Sequence, residues 1–222
     1  MKRRDYGQYC GLARALELVG ERWALLIVRD LAVQPARFTD LLEGLPGIPT
    51  NVLSSRLKEL ETTGLVERRV APAPGRGVVY ALTPVGRGLE PAVDALGRWG
   101  TRQLGDPRPG EIVTPATLAT ALRAAFNPAE ATGLEASWEI RVAGEPVVHA
   151  IVDDGRVQAG LGPAATEPDL AIAVASDELP SYLALMQAAR CGEVELDGRK
   201  RLLGTFVRVF TPPQSDAVTI AA

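Results

Sequence analysis

Asn51, Ser54, Ser55 and Lys58 stand at i, i+3, i+4 and i+7, the spacing that lines side chains along one face of a helix. An amide, two hydroxyls and an ammonium make a row of hydrogen-bonding groups without a nucleophile–base pair or a metal-binding set. On a helix that enters a DNA major groove, Asn can pair bidentately with adenine, Ser can meet a base edge or a phosphate, and Lys can reach guanine or phosphate. Thr50 opens this stretch, and Leu53, Leu57 and Leu60 turn the other way. Any solvated helix can show such a face, so the pattern needs a second feature beside it. That feature is Arg76, set in Pro74-Gly75-Arg76-Gly77 between two short apolar runs. A glycine-flanked Arg at the tip of a hairpin suits a phosphate or a minor groove.

Other reactive side chains are few. Cys10 precedes a helical pattern, with Arg14 one turn further on, a cation that could favour the thiolate. A lone cysteine beside a helix is more often an inert packing residue. The single histidine, His149, stands between Val148 and Ala150 and reads as a hydrogen-bonded strand residue. One histidine leaves no His-rich metal site, and neither a G-x-S-x-G elbow nor a phosphate-cradling Walker loop is present. Gly75-Arg76-Gly77 would need a glycine at position 80 for a dinucleotide fingerprint, and Tyr80 is there instead. Asp153-Asp154-Gly155 is ordinary turn chemistry. The expectation is a protein that is not an enzyme and carries no cofactor and no metal.

The elements that must position these groups follow from periodicity. Leu12, Ala15, Leu16 and Val19 predict a helix ended by Gly20, and the apolar run Trp23 to Leu31 predicts a helix buried on several sides. Phe38, Leu41, Leu42 and Leu45 form a short amphipathic helix. Pro46-Gly47 breaks it, and Thr50 can cap the next one, which stops at Gly64. Leu65 to Val70 and Val78 to Leu82 read as strands around a Pro/Gly loop at 71–77. Thr83-Pro84 opens another helix that Pro91 must kink or restart. Leu89, Val93, Leu96 and Trp99 are its apolar stripe.

Gly105-Asp106-Pro107-Arg108-Pro109-Gly110 then makes a stiff polar connector. Beyond it, Pro115 to Phe126 is an Ala-rich helix. Leu134, Ala136, Trp138, Ile140 and Val142 alternate with polar residues, which predicts a strand with one buried face. Strands at 147–152 and 156–159 flank the Asp153-Asp154-Gly155 turn, and Leu170, Ile172 and Val174 mark another. Helices are expected at 179–189 and 199–210. The fold class is therefore α+β, with domains at 1–104 and 112–222 joined by a linker at 105–111.

Charge divides the chain at the same place. Residues 1–104 carry 15 Lys/Arg against 11 Asp/Glu, whereas 105–222 carry 9 against 16. A basic half fits an anionic partner, and an acidic half does not. Cysteines only at 10 and 191 give no disulfide framework, no apolar signal core follows the N-terminal charges, and no run is long enough for a membrane span. A cytoplasmic protein without membrane contact is expected.

With these residues in place, the segment from Tyr9 to about Leu104 resembles the HxlR-type winged helix-turn-helix regulators. The resemblance rests on CGLARALELVGERWALLIVRDL at 10–31, RFTDLLEGLPGIPTNVLSSRLKELETTGLVERR at 37–69 and VVYALTPVGRGL at 78–89. It implies homodimers assembled through the N-terminal helix and the helix after the wing, here Leu12, Leu16, Leu89, Val93, Leu96 and Trp99. Cys10 matches a cysteine that senses oxidants or electrophiles in some members. Pro49 departs from the pattern, standing where a small polar cap is expected, and the helix then starts at Thr50. More loosely, Leu118 to Phe210 resembles the SCP2-like sterol-carrier fold, through Trp138 and its strand, DLAIAVASDELPSYLALM at 169–186 and GEVELDGRKRLLGTFVRVF at 192–210. That resemblance implies an apolar tunnel, with Trp138, Tyr182, Met186 and Phe206 as candidate lining; a filled core is the equal alternative for each.

The reading is a dimeric regulator, expected to be a repressor, that binds a double-stranded DNA operator through Thr50, Asn51, Ser54, Ser55, Lys58 and Arg76. An apolar or aromatic small molecule held by the C-terminal domain is the expected effector. Two alternatives stand beside it: a lipid or small-molecule carrier whose winged helix docks proteins, and a thiol-based redox regulator.

Overall fold

The computed structural model describes residues 5–71, 76–104, 108–174 and 178–212. Pro74 and Gly75 of the expected hairpin tip, and Gly105, Asp106 and Pro107 of the connector, lie outside the described residues. The chain divides into two compact units, Met1–Val93 and Asp94–Ala222.

The first unit runs α1 (Gly11–Val19), α2 (Ala24–Val33), α3 (Phe38–Gly44), α4 (Thr50–Thr62), β1 (Val66–Val70), β2 (Val78–Leu82) and α5 (Pro84–Arg87), and α6 (Glu90–Thr101) begins in it. Gly20 closes α1, its N–H donating to the Leu16 carbonyl. Ile27, Val28 and Leu31 of α2, Leu41 of α3, and Leu53, Leu57 and Leu60 of α4 meet in one core with Leu82 of β2. This is what their helical spacing dictates: each helix offers one stripe, and three stripes close on one another. β1 and β2 pair antiparallel, from Val66 against Leu82 to Val70 against Val78. Ala36, just ahead of α3, makes a bridge to Tyr80 and so ties the helical part to the hairpin.

Thr83 does what a capping threonine should, accepting from the Gly86 N–H at 3.1 Å with Pro84 at the first helical position. Gly86 is required there, since a Cβ would lie 2.0 Å from the Leu65 carbonyl oxygen. The helical path restarts at Glu90, with Pro91 in its first turn.

The second unit holds the rest of α6, then α7 (Pro115–Ala125), a 3₁₀ turn (Pro128–Ala131), β3 (Glu135–Val142), β4 (Glu145–Asp153), β5 (Arg156–Leu161), β6 (Leu170–Val174), α8 (Tyr182–Cys191), β7 (Val194–Gly198) and α9 (Leu202–Val209). The five strands stand in the order β5-β4-β3-β6-β7. Every pairing is antiparallel except β3 with β6. Helix α7 packs on β4 and β5, and α8 packs on α7 and α9. The buried side of β3, Ala136, Trp138, Ile140 and Val142, is the one its alternation predicts. Two features differ from expectation. Glu139, on the polar side, is also buried, and Val194–Gly198 adds an edge strand that the sequence pattern did not announce. The division between the units falls inside α6 rather than in the connector, because Asp94 and Arg98 of α6 bond to Arg123 and Ala124 of α7.

Candidate nucleic-acid interface

The interface begins with how α4 is started. Pro49 occupies the N-cap position, and its carbonyl accepts from Val52 and Leu53 at 2.9 and 3.0 Å. Thr50 is therefore the first helical residue and not the cap; it makes no capping side-chain hydrogen bond. A proline there fixes the entry angle without wasting a donor, since the first N–H groups of a helix lack intrahelical partners in any case. No acidic residue stands in the first turn, so the positive end of the helix dipole is not neutralised locally.

With Leu53, Leu57 and Leu60 buried, the opposite side carries Thr50, Asn51, Ser54 and Lys58, all exposed. Ser55 sits at the edge of this face, half-buried, and its hydroxyl donates to Glu59 at 3.3 Å. It is the member of the set already engaged within the helix. Arg56 is turned inward and paired with Glu59 and Glu21, so it belongs to the scaffold. Arg76 is exposed at the start of the return towards β2.

The sequence reading passed over two more cations of the hairpin, Arg68 and Arg69 of β1, both exposed. Arg68 lies over the Tyr80 ring at 5.7 Å and 4.0 Å from Glu61, and Arg69 is paired with Glu67. The adjacent pair of arginines in a strand was the available signal. Asp30 of α2 is 6% exposed, accepts from Arg29 at 2.8 Å, and has its carboxyl pushed above the ordinary range by burial, which outweighs the Arg29 charge.

Of the residues assigned to dimer contact, Leu12, Leu16, Leu96 and Trp99 are exposed. Leu89 is half-buried against the first core and Val93 is buried in it, so these two already have partners within their own unit.

Cys10 is exposed at the N-cap of α1. The backbone N–H groups of Ala13 and Leu12 hold its thiol below the ordinary range. Arg14, the cation expected to do this, is instead 2.6 Å from Glu17. Cys191 is exposed at the end of α8.

The four residues assigned to a small molecule separate. Trp138, Met186 and Phe206 are at most 2% exposed. The Trp138, Phe206 and Phe210 rings pack on one another at centroid distances of 4.9–5.9 Å, which is a filled core. Tyr182 alone borders open space, a cleft that it shares with Trp99. His149 donates its Nδ1–H to the Gly162 carbonyl at 3.1 Å and lies over Gly160, consistent with a sheet residue. No described helix is long and apolar enough to cross a membrane.

Comparison with known proteins gives the first half of the chain a family. Residues 18–107 match the model of the HxlR-like helix-turn-helix. An uncharacterized HTH-type transcriptional regulator of Synechocystis sp. is 35% identical over 97 residues, 44% of this chain and 72% of that protein. The HTH-type regulator YvaP of Bacillus subtilis is 37% identical over 94 residues, 42% of this chain and 86% of the relative. Among solved structures, the reduced form of the transcriptional regulator YodB from B. subtilis is 34% identical, with a TM-score of 0.38, and covers 47% of this chain and 100% of that one. Each of these three matches covers less than half of this chain.

Proposed function

The chain belongs to the HxlR-like helix-turn-helix transcriptional regulators, and on that premise we propose that it is a homodimeric repressor gripping an operator with α4 and the β1–β2 wing. The observation that carries this reading is the polar face of α4. Asn51, Ser54 and Lys58 are exposed on a helix whose other side is locked by three buried leucines, and Arg76 stands on the hairpin that follows. A groove-reading helix needs this combination of a rigid seat and outward hydrogen-bonding groups. Exposed Leu12, Leu16, Leu96 and Trp99 support the dimer, since apolar side chains of this size on two helices gain by being covered.

In this proposal residues 1–104 bind DNA and assemble the dimer, 105–111 link, and 112–222 respond to an apolar or aromatic small molecule. The acidic balance of the second half speaks against further phosphate contacts from it. A thiol-based response has its own support in Cys10, whose exposure and lowered pKa are what a reactive thiolate needs. A carrier whose winged helix docks proteins has less, because a protein-docking face should be more apolar than Asn51, Ser54 and Lys58 make this one.

The test is selection of duplexes from a random library, followed by footprinting and light scattering. The expected result is a dimer protecting two half-sites about one helical turn apart, ~34 Å. Enrichment of no sequence, or undiminished binding by a protein that stays monomeric at micromolar concentration, refutes it.

A further inference from the structure

The acidity of the second half is an average, and one turn departs from it. Of the nine Lys and Arg residues after position 104, three are consecutive: Arg199, Lys200 and Arg201, between β7 and α9. All three are exposed. Elsewhere in this unit cations are answered internally, Arg123 by Asp94, Arg141 by Glu139 and Asp197, and Arg208 by Glu130.

The turn is a rigid seat. Gly198 has a φ of +102°, and a Cβ there would fall 2.6 Å from the Asp169 carbonyl oxygen, so only glycine lets the chain pass this close. The Arg199 N–H donates to that same carbonyl at 2.7 Å, and its guanidinium meets the Asp169 carboxylate at 2.9 Å. Asp169 is held in turn by the N–H and hydroxyl of Ser137. Past Arg199, the Lys200 N–H donates to Gly198, and the Leu202 and Leu203 N–H groups return to the Arg199 and Lys200 carbonyls. Those amides are used inside the turn, and what it offers outward is side-chain charge. Lys200 and Arg201 make no ion pair or side-chain hydrogen bond among the described residues. The neighbouring carboxylates, Asp197 and Asp169, are already engaged by Arg141 and Arg199.

Two adjacent cations on a fixed turn suit a phosphate backbone, where each neutralised phosphate also releases a condensed counterion. Among polyanions, DNA is the one that a chain of a helix-turn-helix regulator family meets. We propose that Lys200 and Arg201 grip the phosphate backbone of the duplex outside the half-sites, an anchor separate from α4 and the wing. The proposal gives the second unit a DNA contact of its own and rests on the operator reading for its partner. Phosphate contacts carry no base information. The turn therefore raises affinity for long duplexes and leaves the choice between sequences to α4.

The test compares the wild type with Lys200→Gln/Arg201→Gln on two duplexes. One is a selected operator trimmed to its half-sites, and the other carries about one and a half further helical turns at each end. On the long duplex, the slope of log Kobs against log salt should flatten in the double variant by roughly two units per protomer, the share of two neutralised phosphates. On the trimmed duplex the two proteins should be indistinguishable. Arg108→Gln/Arg156→Gln removes the same charge from other exposed positions and should keep the wild-type slope on both. Equal flattening by the two double variants would reduce the effect to net charge and overturn the proposal. No flattening on the long duplex, or the same flattening on the trimmed one, also overturns it. The urea midpoint should not move; a lowered one would show that the turn needs these side chains for its own stability and would overturn their assignment. Binding to anionic lipid vesicles that the variant loses, with DNA slopes unchanged, assigns the turn to a membrane instead. Asn51→Ala beside these variants keeps the two readings apart. Relaxed sequence choice in Asn51→Ala without flattening at the turn refutes the turn alone. A wild type that enriches no duplex refutes the operator reading, and a long random duplex, where the same flattening is expected, then decides the turn.

Discussion

The polar faces of α4 and β3 follow the same rule of alternation against a buried side, yet they end in opposite states. On β3, Ser137 donates its backbone N–H to Asp169 at 2.9 Å and receives the Asp169 N–H on its hydroxyl at 3.0 Å. Glu139 is paired with Arg141, and Arg141 reaches Asp197 on β7 at 3.3 Å. Every one of these groups is answered from within the sheet or its loops. On α4, Asn51, Ser54 and Lys58 are exposed on the side of the helix away from its leucine seat. A polar row that the fold has already satisfied contributes to stability. One left outward on a rigid seat is available for recognition. Periodicity cannot tell these cases apart; only the partners can.

The comparison predicts that substitutions in and beside the sheet of the second unit move stability while those on α4 move DNA affinity. The largest effect is expected from Trp138→Ala. It removes a fully buried ring that packs on Phe206 and Phe210, and it should lower unfolding free energy by ~3–5 kcal/mol in a urea titration. Operator affinity per folded molecule should hold. If it falls as well, the two regions are not separable. Asn51→Ala should do the reverse, weakening specific DNA binding by ~1–3 kcal/mol and relaxing sequence choice, with the urea midpoint unmoved. Asp169→Ala strips Ser137 and Arg199 of their acceptor and should cost ~1–3 kcal/mol of stability with no change at the operator. Smaller still, Arg76→Ala should flatten the salt dependence of all DNA binding by about one unit, the signature of one phosphate contact. An unchanged slope would take Arg76 off the interface.

Much of the first unit was legible because its helices are strictly periodic and its turns are marked by Pro46-Gly47, Gly64 and Thr83-Pro84. The polar face of α4 came with that periodicity. Its exact start was less visible, since Thr50 looked like a cap until Pro49 took that position. In the second unit β3 and β6 announced themselves by alternation, but β7 did not. Val194 and Leu196 are its only apolar pair, and Glu195 and Asp197 are the charges an edge strand carries. The cleft beside Trp99 and Tyr182 was beyond reach for a different reason. Ala121 and Ala125, which also line it, read as good helix formers, and nothing within one segment states where two helices will meet. Trp138 and Phe206 left pocket lining and filled core equally open, because composition alone does not distinguish an aromatic that lines a pocket from one that fills a core; both are buried and packed on Phe210. For Cys10, spacing pointed to Arg14, whereas Glu17 claims that guanidinium and the helix N–H groups act on the thiol.

The subtlest break in the comparison is inside the first unit, where Asp30 is a buried carboxyl of the kind that belongs to the second. Its environment is less generous than that of Glu139, which has Arg141 at 2.8 Å and the Ala164 N–H at 3.4 Å on its two oxygens. Asp30 receives Arg29 on one oxygen, and burial still raises its pKa above the ordinary aspartate value. A carboxyl whose pKa is higher in the folded chain than in the unfolded one binds more protons in the folded chain across that interval. Stability therefore falls as pH rises from the unfolded value, about 3.9, through the raised folded one, and the cost is fully present above it. Asp30→Asn keeps an oxygen to accept from Arg29 but cannot ionise. The difference in unfolding free energy between wild type and Asp30→Asn should then shift steadily in favour of the variant as pH climbs through that window, and level off beyond it. Because every other titrating group is common to both proteins, the difference isolates this one. Parallel stability curves from acid to neutral pH would mean that the Arg29 guanidinium fully offsets the burial, and that Asp30 belongs with the satisfied carboxyls of the sheet after all.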